Sequence, residues 1–399
     1  MIDVHSVRSR FSKPLTELSQ KLHSHPELGL QEFATTKLIC DTLDDLGIER
    51  IGLDVPTGAV AILRGARPGP TIGLRADIDA LNQQEETERP DRSRIDGVMH
   101  ACGHDVHTVG LLGAAMALSA IREELAGNVV FVFQPAEETL AGAQMLIDAG
   151  LFLKAPMDCV FGLHNSPHLA VGTVGVREGH LMSAKDGYRA RMIGRGGHSS
   201  APQKNIDPIL AAAAAVQGIH TIVSRNVGPL SSAVVNVSYL SGGSENDLVV
   251  NDAVYGGIVR SHEGSVRRKV LERLEAMSVS TAEAYGCKAE FTHTPITPAV
   301  VNPASLLPLA QRAAAETVGE AGVAIPPLNM ASEDFALYGE HVPAFFYFLG
   351  SGTPGARNYS WHNPRFCAHE ETPLYGAALL ANSVFAAQEA LQNNAVTWE

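Results

Sequence analysis

An α/β fold, with a mixed, largely parallel sheet flanked by helices and a smaller α+β domain inserted into it, is what this sequence predicts. Three observations carry that prediction. Short apolar β-type runs alternate with longer helical ones, the pattern of a buried sheet with helical crossovers. Three of those runs end on an acid or an imidazole. Past Gly187 the pattern turns to apolar/polar alternation, followed by strands and helices enough for an independent unit.

Taken in order, Thr71 to Arg75 reads as a strand that runs into Ala76-Asp77-Ile78-Asp79. The segment His100-Ala101-Cys102-Gly103-His104-Asp105-Val106-His107 then enters a helical run, Val109 to Ile121, at its first turn. Asn128 to Phe133 is a strand leading into Gln134-Pro135-Ala136-Glu137-Glu138, and Asp158 to Leu163 a strand leading into His164. In open α/β sheets the carboxyl edge is where ligands bind, because the loops that follow the strands form a crevice there. Within the insertion, Tyr188 to Ile193 alternates as a strand and Pro208 to Val223 is an alanine-rich helix. Ala233 to Leu240 and Asp252 to Arg260 are strand-like, and Ser265 to Ala284 is a charged helix. The larger domain is therefore expected in two pieces, residues 1–181 and 295–399, around an inserted domain at 182–294.

Composition narrows the chemistry. The 399 residues are 45% hydrophobic and 18% charged, ordinary for a globular chain long enough for two domains. A formal net charge of −13 with no basic block argues against nucleic acid or an anionic membrane surface as partner. Five scattered cysteines suit a reducing compartment, and the amino terminus lacks an apolar export signal. The longest apolar runs fall short of the about 18 residues that a membrane span needs. A cytoplasmic protein acting on a small molecule is expected.

The His100–His107 segment packs three imidazoles, a thiol and a carboxylate into a few positions. These are ligands of the kind that bind zinc, manganese or cobalt. A helix amino terminus favours the thiolate such a metal requires. The adjacent acids Glu137 and Glu138 point in different directions, so one can hold a metal while the other moves a proton. A metal lowers the pKa of a water, and a free carboxylate beside it takes the proton and returns it to the leaving group; this is hydrolytic chemistry.

These residues carry a family resemblance. Met99 to Thr108, Gln134 to Glu138, Gly162-Leu163-His164, Gly196-Gly197-His198, Ser332-Glu333-Asp334-Phe335 and His362-Asn363-Pro364-Arg365-Phe366 look like the M20 metallopeptidase family. The chain is most similar to its amidohydrolase branch of hippurate hydrolases, N-acyl-amino-acid amidohydrolases and auxin-conjugate hydrolases. The likeness extends from His25-Pro26-Glu27-Leu28 to Gly376. It implies two divalent ions per subunit, zinc, manganese, cobalt or nickel, held by Cys102, His104, Glu138, His164 and His362, with Glu137 as general base. It implies that Asp77 orients a ligand histidine, although Asp77 and Asp79 also read as capped strand ends. Where other branches place a metal-binding histidine, this chain has Arg75, a substitution that also occurs in the amidohydrolase branch, where the Cys takes up ligation. The resemblance leaves His100 and His107 as supporting residues, with Asp105 orienting one of them.

The same resemblance makes the insertion a lid and dimerisation domain, in a homodimer or higher oligomer. It implies that His198 supplies the donor for the tetrahedral oxyanion from the partner subunit, and that Arg260 grips a substrate carboxylate, as a planar guanidinium can. The chain departs from the family near that grip. The usual lid asparagine falls on Asp247, with Asn246 beside it, so either Asn246 substitutes or the substrate end is an amide or amine. The proline common after the first strand's Asp-Ala-Leu is Asn82. The expected activity is cleavage of an N-acyl amino acid into a carboxylic acid and an amino acid. A dipeptidase or deaminating hydrolase on the same scaffold is the alternative, and a catalytically silent binding protein a further one.

Overall fold

The structure, a computed structural model, describes residues 2–246 and 248–393. It divides into two compact units. The first is Met1–Gly179 with Val301–Pro327 and Asp334–Glu399; the second is His180–Val300 with Leu328–Glu333.

The first unit is built on an eight-stranded sheet in the order Glu49–Ile51, Ala59–Arg64, Ala126–Gln134, Arg67–Asp77, Cys159–Ala170, Ala344–Gly352, Val174–Gly175, Val323–Ala324. The four central strands, Ala126–Gln134 through Ala344–Gly352, run parallel, and antiparallel pairs lie toward both edges. The sheet is thus mixed and parallel where it matters for the site. Three of these central strands are buried over most of their length and Arg67–Asp77 is buried from Ile72 onward, as parallel strands covered on both faces are. The third predicted strand differs from expectation. It does not stop before His164 but runs on to Ala170, because Ala344–Gly352 keeps pairing with it as far as Gly352.

The helix expected at Val109–Ile121 starts five residues earlier and spans His104–Ser119. Burial on nearly all sides explains it. The helix packs against the carboxyl-terminal helix Thr372–Gln392 and the first helix Val4–Ser24, so apolar and small residues all round it are satisfied. At Gly113 a Cβ would press to 2.7 Å from Ala377 Cβ, so glycine sets how closely the two helices approach.

The first helix is fastened to this one by a buried ion cluster. His23 donates from Nδ1 to Asp105 Oδ2 at 2.7 Å and from Nε2 to Glu85 Oε1 at 3.3 Å. Asp105 therefore orients His23, not a histidine of its own segment. Burial opposes charging of His23, but the two carboxylates outweigh it and raise its pKa to about 9. Glu85 is correspondingly lowered to about 2, against its own burial, by His23 and Thr87. A histidine whose pKa rises on folding adds stability that is complete below its unfolded value near 6.5 and is lost as pH rises through about 9. His23→Gln is expected to cost about 3–5 kcal/mol at pH 6, as breaking a buried pair does. The gap to wild type, followed by thermal melts of metal-free protein, should close between pH 6.5 and 9. A gap constant across that window would refute the charged state of His23.

The second unit holds a four-stranded antiparallel sheet, ordered Ala233–Gly242, Asp252–Ser261, Ala184–Ile193, Lys288–Thr297. Strand Ala184–Ile193 alternates buried and partly exposed positions, the period-two pattern visible in the sequence. The sheet's inward face, with Tyr188, Ala190 and Met192 of this strand and Tyr255 of Asp252–Ser261, packs with Ala211, Ala215, Val270 and Leu274 of helices Pro208–Ile219 and Gly264–Ala284. The predicted Pro208–Val223 helix is two helices, the second being Thr221–Asn226. The fourth strand, at the polar edge, was not among the elements read from the sequence. Ser183 Oγ donates to the Met330 carbonyl at 2.8 Å, tying the 328–333 segment into this unit.

Candidate metal centre

The site is assembled at the carboxyl edge of the parallel strands. Register places Asp77 beside Gln134 and Arg75 beside Gly162, which brings His164 level with Asp77. Asp77, the Glu137-Glu138 pair and His164 thus arrive from three neighbouring strands, as expected.

The Cys102–His104 loop reaches them because Gly103 adopts a left-handed conformation, φ 85°, and lets the helix begin on His104. His104 is fully buried. Its Nδ1 donates to Asp79 Oδ1 at 3.2 Å, which turns Nε2 inward. That Nε2 has no hydrogen-bond partner, yet Asp77 Oδ2, Glu138 Oε1 and Glu137 Oε2 stand 3.8, 3.8 and 3.9 Å away. Burial opposes a charge on His104, but Asp77, Asp79 and Glu138 raise its pKa to about 10. The same carboxylates would favour a metal cation at Nε2 in place of that proton.

The acid pair owes its placement to Ala136, whose φ of 52° is unusual for a residue with a Cβ. The Ala136 N–H donates to Glu32 Oε1 at 2.9 Å and the Glu138 N–H to Asp79 Oδ2 at 3.0 Å. Asp79 is therefore more than a strand cap, since it fixes both the His104 ring and the Glu138 backbone. Glu138 Oε1 lies 3.4 Å from His362 Nε2. Burial works against its ionisation, but His362 and His104 hold its carboxyl below the usual range. His362, from a loop near the carboxyl terminus, also has a left-handed backbone, φ 60°, anchored by its N–H on the Ala101 carbonyl at 2.8 Å.

His164 donates from Nδ1 to the Asn165 carbonyl at 2.8 Å, so its free Nε2 meets Cys102 Sγ at 3.4 Å. Burial and the nearby His107 push its pKa well down, which keeps the ring neutral, as a ligand must be. The thiol does not follow the sequence expectation. Burial and the carboxylates of Glu138, Glu137 and Asp77 push Cys102 well up, so the thiolate needs a cation beside it.

Two of the donor groups that could each hold a metal share that sulfur. One is Cys102, His104 and His164; the other is Cys102, Glu138 and His362. The donor chemistry fits divalent ions of the zinc, manganese and cobalt class. A further group, Asp77, His104 and His107, is geometrically close but already spent. His107 donates from Nδ1 to Asp77 Oδ1 at 2.6 Å, and its Nε2 accepts from the Asn165 N–H at 2.8 Å. Asp77 Oδ2 takes Arg75 at 2.8 Å, while the same guanidinium reaches Gln134 and Asp334. Arg75, at the position where other branches have a ligand, is a buried counter-charge for Asp77 and Asp334. His100 is buried with neither ring nitrogen bonded, and burial first among several causes lowers its pKa to about 4.

The remaining predicted residues belong to the second unit. His198 is exposed, and its Nδ1 accepts from the Ser200 N–H at 3.1 Å. Arg260, half-buried, donates to the Met330 carbonyl at 2.9 Å and to Ser332 Oγ at 2.8 Å. Among the described residues no carboxylate makes an ion pair with Arg260. Asn246 is exposed, and Asp247 lies outside the described residues.

Comparison with known proteins agrees with this geometry. A model of peptidase family M20/M25/M40 matches residues 73–385. An N-acetylcysteine deacetylase of Bacillus subtilis is 42% identical over 364 residues, 90% of this chain and 93% of its own length. The IAA-amino acid hydrolase ILR1-like 4 of Arabidopsis thaliana is 36% identical over 384 residues, 94% of this chain and 86% of its own. Among solved structures, a Bacillus subtilis dinuclear metal binding peptidase from the M20 family superposes with a TM-score of 0.85 at 36% identity, covering 96% of this chain and 99% of that one. With that breadth of likeness and a donor set suited to metal at the predicted strand ends, the chain belongs to peptidase family M20/M25/M40 and is a metal-dependent amide hydrolase.

Proposed function

We propose that the enzyme cleaves the amide of an N-acyl amino acid, releasing a carboxylic acid and an amino acid, with two divalent ions held by the groups that share Cys102. The observation that carries this reading is the pairing of those groups with a second acid, Glu137, which belongs to neither of them and lies beside His104. When bound, such ions acidify a water and polarise the scissile carbonyl. Glu137 would take a proton from the attacking water and return it to the leaving amine. Zinc, manganese, cobalt and nickel all suit the donors.

The first unit is the catalytic domain in this reading, and the second the lid and dimerisation domain of a homodimer or higher oligomer. His198 is the oxyanion donor and Arg260 the grip on the substrate carboxylate, with Asn246 assisting. Arg260 is half-buried and has no carboxylate partner among the described residues, which supports the role. A charge-assisted hydrogen bond is worth about 1.5–3 kcal/mol. Arg260→Ala is therefore expected to raise KM about 10- to 100-fold for N-acyl amino acids while sparing their carboxamide analogues. An equal loss for both would remove the carboxylate from the picture. No described helix is long and apolar enough to cross a membrane, and all five cysteines are free, which supports a cytoplasmic location.

The deciding assay is hydrolysis of N-acetyl, N-benzoyl, long-chain acyl and indole-acyl amino acids with added divalent metals, quantifying both amino acid and ammonia. Release of the amino acid is expected, and its loss on exhaustive chelation. Ammonia in its place would point to a deaminating hydrolase, and turnover at full rate without metal would sink the mechanism.

A further inference from the structure

The segments that carry the proposed ligands close on a single uncharged residue. Asn165 follows His164 and is fully buried. Its Nδ2 donates to the Cys102 carbonyl at 2.6 Å and stands 2.9 Å from His107 Nε2. Its Oδ1 accepts from Ser351 Oγ at 3.0 Å. Its backbone carbonyl accepts both the His164 Nδ1 proton at 2.8 Å and the Trp361 indole N–H at 3.0 Å, the latter one residue from His362. The loop before the helix, the strand bearing His164 and the carboxyl-terminal loop thus meet here.

We propose that Asn165 is the positioning residue of the metal centre, its carboxamide holding the Cys102 loop against the His164 strand so that the shared sulfur falls between the two donor groups. The proposal rests on the reading of Cys102, His164 and His362 as ligands. Two observations support it beyond the count of bonds. Only a carboxamide of this length offers two donor hydrogens toward Cys102 O and His107 Nε2 and an acceptor toward Ser351; a carboxylate would set lone pairs against lone pairs. Gly103 moreover leaves the space that the amide fills, because a Cβ there would collide with Asn165 Nδ2. The ring beyond is held from the same residue: the Asn165 backbone N–H donates to His107 Nε2, with the carboxamide nitrogen beside it, so the ring proton sits on Nδ1 and faces Asp77. Arg75, Asp77, His107 and Asn165 form one relay that ends at the Cys102 carbonyl.

Groups of this kind typically change metal affinity 10- to 100-fold when altered. The test uses the full chain stripped of metal and titrated with Co2+, reading stoichiometry, affinity and the thiolate-to-cobalt absorption that reports on Cys102. Asn165→Asp is expected to weaken Co2+ binding about 10- to 100-fold, to shift or diminish that absorption, and to lower kcat more than KM for an N-acetyl amino acid. Ser351→Ala, which removes only the donor to Oδ1, should move the same readouts in the same direction by less. It decides the matter if Asn165→Asp fails to fold. Variants that bind two Co2+ within threefold of wild type, with unchanged absorption, overturn the proposal and leave the ligand assignment intact. Wild type that takes up no pair of ions overturns both.

Discussion

Glu137→Gln should lower kcat by about 10²–10⁴-fold while the protein still carries two metal ions, because general-base catalysis contributes on that scale and the amide keeps the shape of the acid. Geometry makes this outcome specific. Glu137 Oε2 is 3.9 Å from His104 Nε2, close enough to serve either as a proton acceptor beside the ions or as a direct ligand. Elemental analysis separates the two. Full metal content with lost turnover assigns the proton role, whereas a missing ion would make Glu137 a ligand. Retained turnover would remove it from the chemistry altogether. The acidic limb of the pH dependence of kcat/KM should disappear in the variant if any residual rate is measurable, since that limb reports the base in the free enzyme.

Cys102→Ala should strip both ions, and its effect should exceed the about 10- to 100-fold typical of residues that only support a ligand. The reason is that Cys102 is the residue shared by the two proposed donor groups. One ion retained per chain would show that the sulfur is not shared. Cys102→Ser tests the chemistry of the same position, because a hydroxyl keeps the shape but does not ionise as a thiol does. The buried thiol is already pushed up by its own burial and by three carboxylates, so only a cation makes its ionised form favourable.

Much of this was legible before any coordinates, because strands that end on chemistry announce themselves in the sequence. Asp77, Glu137-Glu138 and His164 each follow an apolar run, and the motif at Met99–Thr108 is dense enough to stand out. What could not be read is which polar residue faces which. Asp105 looks like a partner for its own segment but pairs with His23, 82 positions away. Asp79 reads as a cap and proves to brace two other site residues. Asn165 sits inside a strand expected to have ended, and the one available signal was an amide next to a ligand in a run too apolar to expose it. Boundaries failed where tertiary packing extended an element, as at His104 and Ala170. The thiol's pKa is pushed up and not down as the sequence suggested, because the fold buries it among three acids whose approach the sequence does not show.

Ala136 and His362 both carry side chains on backbone that disfavours them. Each such position costs of order 1–3 kcal/mol and persists only when its surroundings compel it. Ala136 adjoins the acid pair and His362 is itself in one of the candidate donor groups, so the fold forgoes stability at two places where such groups are presented. That makes them the natural points at which activity and robustness trade against one another. Ala136→Gly and His362→Gly relax the same kind of backbone, yet only the first keeps all five proposed donors. A library selected for heat resistance alone would be drawn toward glycine at both positions and would lose the enzyme through the second, while one selected for turnover would keep histidine at 362 and leave 136 free to soften.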